Sequence, residues 1–292
     1  MKTLLFFLAL TLTIAFCLVT QSPAAIDDFK NIARAVAQKS QKSVVTVKFV
    51  VKLRAGQEEL EQKFEISGTI IDPSGLTLVT ATVIDPYHVL QLIFTATGRT
   101  IDLTTLKNLK IDLEITNTTL ILDDGTELEA DVVMKDRDLG LAFVRPRGPP
   151  QKFDAISLKP PPTPPQLLDD IFILSRLERN YNRALLLIDG KIRAVVKGQR
   201  TYYLCDDILA SNFGSIVFAA DGSTLGVFVP KSDNETEHIL RPVEDILETV
   251  AQAKQAKPVQ KKFSPTEAIG STGSTGEKPK VKSKEPPNPP SK

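Results

Sequence analysis

Few side chains in this chain could carry chemistry. Its 292 residues include two histidines, His88 and His238, and two cysteines, Cys17 and Cys205. Acyl transfer by a serine or thiol needs a base within hydrogen-bond reach of the nucleophile and a third group that orients the base. Neither histidine has a sequence context that argues for that role. Cys205 follows Tyr202, Tyr203 and Leu204, the setting of a small buried apolar residue rather than of a nucleophile. The stretch ASNFGSIVFAADG, residues 210–222, is more suggestive, because Ser211, Gly214 and Ser215 form a small-residue loop ahead of an apolar run. At its centre, however, stands Phe213, which cannot attack a carbonyl. No metal site and no cofactor is expected. Asn117 in NTT and Asn234 in NET match the acceptor pattern for N-glycosylation, which has consequences only in a eukaryotic secretory pathway.

The elements that must position these residues follow from periodicity. Residues 26–41 place Ile26, Phe29, Ile32, Ala33, Val36 and Ala37 at helical spacing, with acidic residues first and lysines last. β-branched runs then dominate: 43–53, 63–72 and 76–85, followed by KIDLEITN, TTLILDDGTELEADVVMKD and LGLAFVRP, with Asp124-Gly125 as a hairpin signal. Residues 151–170 hold five prolines, which cannot donate to a β-ladder, and read as an extended crossover. A second β-unit follows, with Asp189-Gly190 and Asp221-Gly222 as further hairpin signals, and 241–255 returns to helical spacing.

Composition bounds the class. With 42% hydrophobic residues and a net charge of +1, the chain suits one large or two small packed domains, and nothing global points to nucleic acid. The charge is uneven. Residues 251–292 carry nine Lys against three Glu, so the tail is basic and the body mildly acidic. From residue 257 onward Pro, Lys, Ser, Thr and Gly dominate, a composition expected to stay disordered. The N-terminus has one Lys, an apolar run from Leu4 to Val19, and small residues at Ser22, Ala24 and Ala25. This reads as an export signal, short for a permanent membrane span. A lipoprotein role for Cys17 is weak, since the thiol lies inside the apolar run after Phe16. Once the signal is removed only Cys205 is left, so no intramolecular disulfide can form.

Three stretches, in order over residues 40–245, resemble trypsin-like serine proteases of the HtrA/Deg branch. SGTIIDPSGLTLVTATVID is similar to GSGVIIDxxGYILTNxHVV, which carries the family's base histidine. ILDDGTELEADVVMKDRDLGLAFVRP is similar to LxDGrxxxAxVVgxDpxxDLAvLkv, which carries the triad aspartate. SNFGSIVFAADGSTLGV is similar to the nucleophile loop GNSGGPVFNADG. The resemblance implies an all-β fold of two antiparallel barrels with short N- and C-terminal helices. It puts the histidine position on Val83 and the serine position on Phe213, and leaves only Asp138. The oxyanion loop is altered too, with Ser211 and Ser215 in place of glycines on either side of Phe213-Gly214. Two bulky apolar replacements imply a cleft filled by packing.

The resulting organisation is a signal peptide (1–25), an N-terminal helix and first barrel (26–150), a Pro-rich crossover (151–170), a second barrel with a C-terminal helix (171–256) and a basic tail (257–292). The PDZ domain that follows the second barrel in the family is not expected here. The implied function is binding or scaffolding of an extended peptide or another protein, without catalysis, by a chain exported to a periplasmic, cell-envelope or secreted location. No nucleic acid and no membrane span after signal cleavage are expected. The alternative is an active serine endopeptidase with a displaced site, for instance His88 with Ser211 or Ser215. On an extended chain, the five residues from Val83 to His88 would carry a side chain about 16 Å away and onto the opposite face.

Overall fold

The structure, a computed structural model, describes residues 24–55, 58–96, 98, 111–198, 200–206, 212–231, 234–258 and 262–263. The segment read as an export signal lies outside the described residues as far as residue 23, and most of the basic tail lies outside them from residue 264. Among the described residues, no helix is long and apolar enough to cross a membrane.

Helix α1 (Ala24–Ser40) leads into strands β1 (Val44–Ala55), β2 (Glu58–Ile70) and β3 (Thr77–Thr80), helix α2 (Pro86–Ala96), and strands β4 (Ile111–Ile121), β5 (Glu127–Asp136) and β6 (Leu141–Pro146). The six strands close in the order β1-β2-β3-β6-β5-β4, with β4 pairing back to β1. After the crossover, β7 (Asp170–Arg176), β8 (Leu185–Val196), β9 (Tyr202–Cys205), β10 (Ile216–Ala219), β11 (Thr224–Lys231) and β12 (Asn234–Pro242) close a second antiparallel barrel in the order β10-β11-β12-β9-β8-β7. Helix α3 (Leu247–Gln255) and the two-residue strand β13 (Lys262–Phe263) complete the described chain.

Strand alternation partitions the apolar side chains into three cores. Val45, Val47, Phe49, Val51 and Val79 fill the first barrel, while Ile171, Ile173, Val217 and Leu240 fill the second. Between them lies a seam built from both barrels, with Leu78, Leu141 and Phe143 against Phe172, Leu174, Ile216 and Phe218. Helix α1 caps this seam, and Phe29 meets the Phe172 ring edge-on at 6.0 Å. Arg176 locks the two halves together. Its buried guanidinium donates to the carbonyls of Gln41 (2.7 Å), Val44 (2.8 Å) and Arg183 (3.2 Å) and to the Asp123 carboxylate (2.6 Å). Arg145 satisfies the orphan carbonyls at the end of α3, donating to Ala253, Lys254 and Ala256.

The structure differs from the sequence reading at three places. Asp189-Gly190 is not a turn: β8 runs straight through it, with Asp189 opposite Phe172 and Gly190 opposite Ile171. Gly190 instead leaves room for Asp206, whose carboxylate accepts the Lys191 N–H at 2.8 Å. The expected strand over 76–85 stops at Thr80. A 3-10 turn (Thr82–Ile84) and α2 follow, started by Pro86 and by Asp85, whose carboxylate accepts the His88 N–H at 3.3 Å. The tail expected to be disordered from residue 257 is paired at Lys262–Phe263 with β4. Asn117 is exposed at a bulge of β4, where the register against β1 shifts.

Candidate functional site

The loop from Asn212 to Ser215 is pinned from both sides. Gly214 donates its N–H to the Phe228 carbonyl (2.8 Å), Phe228 donates to the Ser215 carbonyl (3.1 Å), and Ser215 donates to the Asn212 carbonyl (3.1 Å). Gly214 has φ +84°, and a Cβ there would stand 2.3 Å from the Thr80 backbone nitrogen. Glycine is therefore required for its backbone conformation and for the close approach. That approach brings the loop against the end of β3, just before Val83.

Val83 and Phe213 are thus carried by neighbouring segments of different barrels, but their side chains do not fill the space between the barrels. Val83, 5% exposed, belongs to the core of the first barrel. Phe213, 6% exposed, belongs to that of the second, where its ring lies 5.4 Å from Phe228 and 5.0 Å, edge-on, from the His238 imidazole. The expectation of a cleft filled by both residues is corrected accordingly: each is drawn into its own barrel by the burial available there.

Asp138 is also relocated by the structure. It is exposed in the turn between β5 and β6 and makes no hydrogen bond among the described residues. The carboxylate that holds the turn is that of Asp136, which accepts the Leu139 N–H (3.0 Å) and the Thr249 hydroxyl (3.3 Å). The residue facing the Val83 segment is Gly140, whose carbonyl accepts the Ala81 N–H at 2.9 Å, next to the Thr80–Leu141 pair. In the pattern DpxxDLAvL the second aspartate stands four residues after the first and just before Leu-Ala. Counted from Asp136, that place is Gly140, followed by Leu141-Ala142. Sequence reading missed it by matching the nearer Asp-Leu pair.

The polar groups around these segments do not form a nucleophile–base pair. The Oγ of Ser215, the Nδ2 of Asn212 and the Nδ1 of His238 are buried without a hydrogen-bond partner among the described residues. Ser211 lies outside the described residues. His88 sits in the first turn of α2, so the segment after Val83 is helical, not extended, and the 16 Å separation drawn for an extended chain does not apply. Burial and the neighbouring Asp206 push the Cys205 thiol up to about 12, which keeps it protonated near neutral pH. Among the described residues, no cluster of three His, Cys, Asp or Glu could hold a metal ion.

Sequence reading did not single out one polar group beside Val83. Lys135 is buried, donating to the Ile84 carbonyl at 3.1 Å and to the Asp85 carboxylate at 3.2 Å. Burial pushes its ammonium down to about 8, an effect that Asp85 only partly offsets. Burial also opposes the charge of Asp85, but Lys135, Arg137 and the His88 N–H outweigh it and hold the carboxyl below its usual value. Asp85 thus caps α2 and ties the 3-10 turn of Val83 to β5.

A family model described as trypsin-like peptidase domain matches residues 66–227, more than half of the chain. The chain belongs to the trypsin-like peptidase domain family. The match runs from the last part of β2 into β11 and takes in the segments of Val83, Gly140 and Phe213. No curated protein matches. Among solved structures, the crystal structure of Deg5 is similar with a TM-score of 0.47 and 16% identity, over 75% of this chain and 92% of that one.

Proposed function

We propose that this member of the trypsin-like peptidase domain family is an exported, catalytically silent protein of HtrA/Deg type that binds an extended peptide or protein segment. The observation that carries the reading is Phe213. Its ring stands at the position of the nucleophile and is buried against Phe228 and His238 rather than turned toward a substrate. Counted from Asp72, the histidine of the quoted pattern falls on Thr82 rather than Val83. A threonine there, its hydroxyl accepting from that of Thr80 at 3.2 Å, and Gly140 at the aspartate position supply neither the general base nor the group that orients it, and serine attack needs both. Strand addition along the groove between the barrels is made by backbone groups, so it does not depend on a triad. The apolar run from Leu4 to Val19 followed by Ser22, Ala24 and Ala25 supports export, and with it binding outside the cytoplasm.

Two measurements test the proposal. Casein incubated with the purified chain should remain intact; turnover above a buffer control would establish the displaced-site endopeptidase instead. Peptides that bind in an array screen should protect the strands beside 210–218 and 193–204 from amide exchange. Protection confined to the outer barrel surface would refute binding in the groove.

A further inference from the structure

Helix α1 covers one strand of the second barrel and stands beside the next. The β7–β8 register puts Asp170, Phe172 and Leu174 opposite Lys191, Asp189 and Leu187, and alternation turns both rows to the same outer face of the sheet. The helix packs over the β7 row through Phe29, which meets Phe172 edge-on at 6.0 Å. The β8 row is left alongside the helix, and the space between them is a cleft of about 640 Å³, within the size range of ligand sites. Its floor is apolar, made by half-buried Phe29 and Leu187 with buried Ala33.

The charges around this floor are unevenly answered. At one end Lys191 is paired with Asp170, and beyond it Arg193 is paired with Asp206. The three other charges of the cleft, Lys30 and Arg34 on the helix and Asp189 on β8, are exposed and make no hydrogen bond or ion pair among the described residues. Lys30 and Arg34 stand four positions apart, so they share one side of the helix and repel each other. No acidic residue lies three or four positions from Arg34. Of the two aspartates ahead of Lys30, Asp28 does not line the cleft, and the side chain of Asp27 lies outside the described ones. Asp189 stands opposite Phe172, an aromatic ring rather than a cation. The cleft thus sets two free cations on one wall and a free carboxylate on the other, over an apolar floor.

We infer that this cleft binds a short apolar peptide with both termini charged, its carboxylate held by Lys30 and Arg34, its ammonium by Asp189 and its side chains on Phe29, Ala33 and Leu187. The Arg34 guanidinium presents a fork of donors that matches a carboxylate. A fatty acid satisfies the cations but leaves the Asp189 carboxylate against hydrocarbon, and an apolar amine leaves both cations unanswered. A ligand with a charge at each end answers both walls. Strand β8 is paired on both edges, with β7 and with β9, so the peptide lies on the face of the sheet and does not join it as a strand. The cleft shares no residue with the Phe213 loop and does not depend on the function proposed above.

The test titrates the full-length chain with tri-leucine in a calorimeter at low ionic strength. The peptide should bind saturably with a Kd below about 1 mM, and added salt should weaken it. Blocking either end, as N-acetyl-tri-leucine or as tri-leucine amide, should cost about tenfold, and decanoate should bind more weakly than the free peptide. Asp189→Asn should weaken the free peptide about tenfold and leave the acetylated one unchanged, while Lys30→Gln with Arg34→Gln should weaken the free peptide and leave the amide unchanged. These side chains are exposed and unpartnered, so each variant should keep the wild-type Tm. Amide chemical shifts should move on titration at residues 29–34 and 187–191. No saturation by about 10 mM, equal binding of free and blocked peptides, variants without effect, or tighter binding of decanoate would each overturn the site. Shifts confined to residues 193–204 and 212–218 would put the peptide in the groove between the barrels, overturning this site while supporting the function proposed above.

Discussion

Replacing Phe213 by alanine isolates the physical basis of the proposed silence. The side chain is 6% exposed and packs on the rings of Phe228 and His238 at 5.4 and 5.0 Å. Deleting a buried phenyl ring costs about 3–5 kcal/mol through lost transfer free energy and the cavity left behind. The flanking loop has little freedom to collapse into that cavity, because Gly214 is hydrogen-bonded to Phe228 and rests on the Thr80 backbone. The cost should therefore lie in the upper half of the range. For a folded region of this size, that corresponds to a fall in Tm of about 8–20 °C. Urea melts followed by circular dichroism on wild type and variant read the difference directly. Phe213→Ser should lose at least as much, since it adds a hydroxyl that must find a partner in the second-barrel core. A loss below about 1 kcal/mol would place the ring in solvent, and Phe213 would then be an exposed contact residue rather than a core residue.

Other outcomes follow from the same geometry. Gly214→Ala should destabilise the chain by at least about 2 kcal/mol in the same melts, because it combines a left-handed φ of +84° with a Cβ placed 2.3 Å from the Thr80 nitrogen. Lys135 has a folded pKa of about 8 against a reference value of 10.5. Between those values the unfolded chain holds more protons, so wild-type stability should gain from this residue as pH rises from 8 to 10; Lys135→Met should lose that gain in urea midpoints compared at each pH. Asp72 is held at about 2: burial opposes its charge, but the Lys254 ammonium and the Ser74 N–H outweigh burial. Its contribution is present above the reference value of 3.8 and should fade as pH falls toward 2, so Asp72→Asn should flatten the acid limb of a Tm-against-pH curve.

What could be read from the sequence was whatever local chemistry decides. Phe29, Ala33 and Val36 mark the buried face of α1, and Asp124-Gly125 and Asp221-Gly222 make true turns, with φ +84° and +83° at the glycines. Asp189-Gly190 carries the same letters but sits in a strand that pairs without interruption with β7, so tertiary pairing overrode the turn preference. Helix α2 was hidden because Thr82, Val83 and Ile84 carry a β-branched run to within two residues of its start. The signal that could have revealed it was Asp85-Pro86, a cap followed by proline at the first helical position. At the site, the replacement at Phe213 was visible as a letter, and the histidine position was misplaced by one, since counting from Asp72 puts it on Thr82 and not Val83; the directions of the Val83 and Phe213 side chains were not visible. Only the barrel cores show that each side chain turns into its own barrel. Asp138 was misplaced because two Asp-Leu spacings compete within six residues, and the Ala81–Gly140 hydrogen bond decides between them. The pairing of Lys262–Phe263 depends on a β4 edge more than a hundred residues away, beyond the reach of any local pattern.

The central claim is that the serine-protease site of this fold carries no working nucleophile, and labelling by a fluorophosphonate probe tests it most directly. The full-length chain, incubated with excess probe at neutral pH and analysed as intact protein by mass spectrometry, should keep its unmodified mass while an active trypsin-like control labels completely. Stoichiometric labelling, mapped to Ser211 or Ser215, would show an activated serine and contradict the account.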